Sequence, residues 1–220
     1  MIRPIIPVEP INPIRPITFP KVRIDILTTI IAPLFLLGLF VFVMRIMLKA
    51  NEDKFKNESK LAAVLSTAGI GLIMILLFGA SLTTVKGMIL CLILMYASLS
   101  DIRFHEVPNF VWAMIGILAF VGFEAENLPS MLIGAVAVFV PQLAVSIIKP
   151  SRAIGGADIK ISTALAFMLG AEKGIFAVIV GMLAAVIGVF IARKATKHRT
   201  DEAFPLVPFL AAGAVLAFML

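Results

Sequence analysis

The sequence predicts an all-α fold, a polytopic membrane bundle of about eight transmembrane helices, and three observations carry that expectation. Of the 220 residues, 61% are hydrophobic and only 15% charged, against about a quarter charged in an ordinary soluble domain. With a mean hydropathy of +1.09, too little polar surface remains to coat a particle in water. The apolar residues are gathered into long uninterrupted runs, which suit helices in lipid and not the short alternating strands of a barrel. Short polar gaps separate the runs, and these gaps hold most of the lysines and arginines.

Residues 1–24 form a proline-rich tail, with prolines at 4, 7, 10, 13, 16 and 20. A spacing of three matches the three residues per turn of polyproline II, so the tail is expected to be extended, as a stiff surface spacer more than a docking ligand. It lacks the basic start and apolar centre of a secretory leader, and none is expected. Residues 25–86 are expected to form a transmembrane pair around a basic loop, with runs at 27–48 and 61–80. Residues 87–220 are expected to form a six-helix core, with runs at 87–101, 109–123, 131–148, 157–170, 175–192 and 206–220. The fourth, sixth and eighth runs are short for a hydrocarbon layer of about 30 Å.

The net charge of +6 and isoelectric point near 9.7 would suggest nucleic acid in a soluble protein. Here the positive charge follows the gaps, so the lipid bilayer and no nucleic acid is the expected partner. Thirteen basic residues lie in or beside the first, third, fifth and seventh gaps, whereas the even gaps hold only Lys86 and Lys173. The positive-inside rule then puts the odd gaps in the cytoplasm and both termini outside a multi-pass cell membrane protein. The tail, with Arg3, Arg15, Lys21 and Arg23, pulls the other way.

Two acidic residues stand at the ends of apolar runs on the expected cytoplasmic side. Asp101 closes the third run in SLSDIRFHEVPNF, and Asp158 opens the sixth in AIGGADIKIS. A carboxylate at a helix C-terminus faces the negative end of the helix dipole, so Asp101 is poorly explained as decoration. Asp158, at a helix start, is equally well placed to cap it. Two carboxylates brought together share one proton, and the pair can activate water while hydrogen-bonding a carbonyl. Gly155 and Gly156 suit a sharp bend or a close peptide approach. Alternatively, Asp101 and Asp158 form the cation or proton site of a transporter or channel.

Three blocks of sequence resemble the type IV prepilin peptidases and their archaeal preflagellin-peptidase relatives, which are membrane aspartyl proteases. Asp101-Ile-Arg103 followed by Val107-Pro108-Asn109 is similar to that family's D-x-R and [IV]-P-N stretch. Gly155-Gly156-Ala157-Asp158 followed by Lys160 is similar to its G-x-G-D-x-K block, with Ala157 where the second glycine stands. Pro205 to Gly213, PLVPFLAAG, looks like its C-terminal P-F-G-P-F-L-A-x-G segment. The resemblance implies that Asp101 and Asp158 are catalytic and that Arg103, Pro108, Asn109, Gly155, Gly156 and Lys160 bind substrate or shape the loops. It implies an endopeptidase that removes a short basic leader from prepilin or preflagellin (archaellin) precursors at the cytoplasmic face. Presenilin-type proteases share the G-x-G-D idea but resemble the chain less, since Ser100 and not a tyrosine precedes Asp101.

No cofactor or metal is expected. The lone Cys91 and the separated His105 and His198 cannot form a closed zinc site, and the first gap lacks the cysteine pairs of many bacterial members. An N-methyltransferase activity is therefore not carried over. Lys160 either holds a polar group of the precursor or snorkels to the lipid surface. His105 is expected to be an exposed loop residue near Asp101, Cys91 a packing residue, and Trp112 an interfacial anchor.

Overall fold

The computed structural model describes residues 31–50, 60–148, 155–195 and 204–220. The expectations for the tail, for residues 51–59 of the first basic gap, and for Lys149, Arg152, Lys197, His198 and Arg199 lie outside the described residues.

The described residues form an all-α membrane helical bundle without strands. Its helices are α1 (Ala32–Ala50), α2 (Lys60–Phe78), α3 (Leu82–Phe104), α4 (Phe110–Ala119), α5 (Leu128–Ile148), α6 (Gly156–Leu169), α7 (Ala171–Ala195) and α8 (Val207–Met219). The segments Leu82–Phe104, Ala125–Ile148 and Ala171–Ile191 are long and apolar enough to cross a membrane. The expected short helices are short: α4, α6 and α8 have 10, 14 and 13 residues.

Local chemistry sets where the helices begin and end. α3 runs past its apolar segment at both ends. Ser81 caps it by accepting from the Thr84 N–H at 3.2 Å, and the polar last turn continues to His105, which closes the helix with a left-handed φ of 50°. α4 stops earlier than its hydrophobic run, because the chain turns at Gly122, whose φ of 66° favours glycine. Gly170, with φ 81°, separates α6 from α7 in the same way.

Two kinds of surface follow. A common core gathers Leu90 and Leu94 from α3, Ile115 from α4, Ile161 and Leu165 from α6, and Ala214 from α8. The outward faces are apolar as well, with Leu76 75%, Phe190 69% and Ile147 69% exposed. Such a surface is stable against hydrocarbon and not against water.

In lipid there is no large hydrophobic gain from helix association, so close backbone approach matters. α7 and α8 show it. A Cβ on Gly213 would collide with the Ala177 carbonyl oxygen, and a Cβ on Gly181 would lie 2.9 Å from Leu210 Cα. Gly213→Val is therefore expected to push α8 off α7 and to destabilise the bundle by about 1–3 kcal/mol, the usual overpacking cost. Thermal unfolding in detergent checks this, and an unchanged midpoint would show that the two helices are not held at this distance.

Candidate active site

α8 begins where α3 ends, and the first turn of α6 lies near enough for its Asp158 to interact with Asp101. Asp101 lies in the last turn of α3 and is 7% exposed. It is the one buried acidic residue among the described residues. Its Oδ2 accepts the Val207 N–H at 2.8 Å, and the Leu206 amide also donates to it. The unfavourable position at the C-terminus of α3 is thus compensated by the positive end of α8, whose free amides attract an anion. The sequence explains why α8 starts there. Pro208 occupies the first turn, where a missing N–H costs nothing, and Val207 is left to donate to the carboxylate.

Asp158 is the third residue of α6, after the N-cap Gly155. Its carboxylate folds back to accept the Gly155 amide, the reach of a capping box. Asp158 thus caps α6, and its carboxylate stands close enough to Asp101 for the two charges to interact. The glycine pair divides its work. A Cβ on Gly155 would lie 2.8 Å from Asp158 Oδ2, whereas nothing lies within 4 Å of a Cβ on Gly156. Gly155 has an ordinary φ of −56°, so what it provides is room for the carboxylate. Gly156 leaves an open approach.

The other nominated residues lie around this pair. Asn109 and Lys160 meet directly, Nζ donating to Oδ1 at 3.2 Å on the exposed surface. The two sequence blocks are thereby tied together, and Lys160 already has a protein partner. The turn between α3 and α4 is pinned by Ser100, whose hydroxyl donates to the Glu106 carbonyl at 2.7 Å. Pro108 and Asn109 line a cavity of about 470 Å³ beside that turn, with Phe104 and Val107. Arg103 is half-buried in the last turn of α3, two residues from Asp101 and so on a different side of the helix. His105 is exposed, as expected, and its N–H donates to the Asp101 carbonyl at 2.9 Å.

Removing the surface tie with Asn109→Ala or Lys160→Met is expected to cost less than about 1 kcal/mol of stability, since exposed polar pairs contribute little. If the tie positions the α3–α4 turn against α6, both variants should slow turnover by a similar few-fold. A loss in Lys160→Met alone, read in the Michaelis constant, would instead assign the lysine to substrate.

Sequence reasoning missed two partners. The Val207 amide lies 106 positions from Asp101, and backbone groups leave no trace in composition. Gln142, one residue after Pro141 in α5, is 5% exposed, and its Oε1 accepts the Ser162 hydroxyl at 2.8 Å. Ser162 stands one turn after Asp158. A lone amide inside the run 131–148 was the available signal, since polar residues at membrane depth rarely lack a purpose.

The fold and this end of the bundle define a helical membrane protein with two neighbouring carboxylates where three helix termini converge. The model of the type IV leader peptidase family matches residues 88–192, a segment that includes both. The chain is similar to the prepilin leader peptidase/N-methyltransferase of Bacillus subtilis (strain 168), 30% identical over 151 residues. The match takes in 64% of this chain and 58% of that relative, so the chain spans less than two thirds of the relative's length. No solved structure matches.

Proposed function

We propose that the chain is an aspartic endopeptidase that removes the short basic leader from type IV prepilin-like or preflagellin-like precursors. Asp101 and Asp158 are its catalytic pair, and residues 87–220 its catalytic core. The observation that carries this reading is that Asp158 lies near enough to Asp101 for their charges to interact, with Asp101 buried and held by the start of α8. The family match over residues 88–192 supports the peptidase class, and the relative's printed name supports prepilins as the substrate class.

The pair shares one proton. The ionised carboxylate takes a proton from water, whose oxygen attacks the scissile carbonyl carbon. The protonated partner hydrogen-bonds the carbonyl oxygen as charge develops there. Collapse of the tetrahedral intermediate breaks the C–N bond, and the departing amine takes a proton from the pair. The basic residues of the odd gaps support a cytoplasmic site in the cell membrane. The precursor's apolar helix can then stay in the bilayer while its leader junction reaches the pair.

Purified protein incubated with a precursor carrying leader and apolar helix should make one cut at the leader junction, with or without a chelator. Absence of any cut would overturn the reading. A cut abolished by chelation and restored by zinc would overturn the paired-carboxylate chemistry.

A further inference from the structure

The bundle carries a groove that the chemistry above does not use. It has a volume of about 490 Å³ and an almost wholly apolar lining, between α3 and α8 with α2 beside it. Cys91, Leu94 and Ser98 form one wall, and Pro208, Ala212 and Leu216 the other.

Its position relative to the carboxylates is fixed by helix geometry. Residues 91, 94, 95 and 98 share one face of α3, and the next positions of that face are Asp101 and Ile102. On the opposite wall the groove begins at Pro208, directly after Val207, whose amide holds Asp101. α3 and α8 run antiparallel, since Gly87 near the start of α3 meets Phe218 near the end of α8. The groove therefore begins one residue along α8 from the amide that holds the buried carboxylate, and continues along both helices into the apolar zone. From Pro208 to Met219 it spans about 16 Å at 1.5 Å per residue, the length of three helical turns. Ala212 and Ser98 are small, so a partner's backbone can come close, the usual basis of helix association in lipid.

We propose that this groove docks the apolar helix of the precursor, the segment immediately after the cleaved bond. This rests on the peptidase reading and says where specificity for it resides. A helix laid between α3 and α8 with its N-terminal end toward Asp101 delivers the junction between leader and helix to the carboxylates. The leader itself remains outside the apolar zone. Recognition is then by shape and close packing along three turns.

The test uses the full chain in nanodiscs with Cys91→Ala, so that introduced cysteines are the only thiols. Ala212→Cys and Leu216→Cys should form disulfides with cysteines placed three or four residues apart in the precursor helix. Val136→Cys, on the outward face of α5 and 58% exposed, should not. Ala212→Trp, which fills the groove, should raise the Michaelis constant at least about tenfold with the turnover number little changed, while Val136→Trp leaves both unchanged. Equal cross-linking at position 136, or an unaltered Michaelis constant in Ala212→Trp, would overturn the proposal and leave the groove to lipid chains. Disulfides between two copies of Ala212→Cys that exclude the precursor would overturn it in favour of self-association. Cross-linking does not depend on turnover. Specific cross-links without cleavage would thus sink the peptidase reading while supporting the groove, and cleavage without them would do the reverse.

Discussion

Asp101→Asn and Asp158→Asn should each reduce leader cleavage by about 10²–10⁴-fold, the range expected when a positioned acid–base group is removed. Asn keeps the size of Asp but cannot ionise, so it can neither take the proton from water nor share one with its neighbour. The fold should survive both changes. An Asn at 101 still offers an oxygen to the Val207 amide, which donates to Asp101 at 2.8 Å, and an Asn at 158 still accepts the Gly155 amide. Asp101→Ala is different. It leaves the Val207 N–H buried without an acceptor, at a cost of about 1–3 kcal/mol, so it should lose stability as well as activity. The wild-type rate should be bell-shaped in pH, with limbs belonging to the pair. Initial rates by mass spectrometry, with unfolding measured in the same detergent, check both. Near-normal turnover in either Asn variant would move the transporter reading ahead.

Gly155→Ala should separate activity from stability in the opposite sense. The backbone at Gly155, φ −56° and ψ 139°, suits alanine, and replacing glycine at a compatible site commonly stabilises by about 0.4–1 kcal/mol. The added Cβ, however, would lie 2.8 Å from Asp158 Oδ2. The carboxylate is the movable partner, so it gives way and leaves both the Gly155 amide and its place beside Asp101. A displacement of about 1 Å at a reacting group can cost about 10²-fold in rate, and that is the expected loss. Gly156→Ala meets open space and should retain folding and most activity. Equal rates for the two variants would show that catalysis does not use the carboxylate position seen beside Gly155.

What the sequence showed of the fold came from composition and run length, because lipid imposes helices and a minimum span. Helix ends were less legible, since they depend on single residues. Ser81 and the polar turn at 101–104 lengthen α3 beyond its apolar run, and Gly122 cuts α4 short. At the site, the two carboxylates stood out because charge at the edge of a membrane span is costly. The backbone amides that hold them did not. The contact between Asn109 and Lys160 joins positions 51 apart, and both had been nominated separately, with nothing to show that they touch. Pro205 to Gly213 stood out only as a block of family resemblance, and its use as an anion-binding terminus for Asp101 needed the packing of α3 on α8.

The central claim is that Asp101 and Asp158 act as one catalytic unit, and a double-mutant cycle tests it most directly. Cleavage rates are compared for Asp101→Asn, Asp158→Asn and the chain carrying both. A shared proton predicts that the double variant retains about the same residual rate as either single one, because the first substitution already disables the pair. Losses that multiply, with the double variant slower by the product of the two single effects, would contradict it.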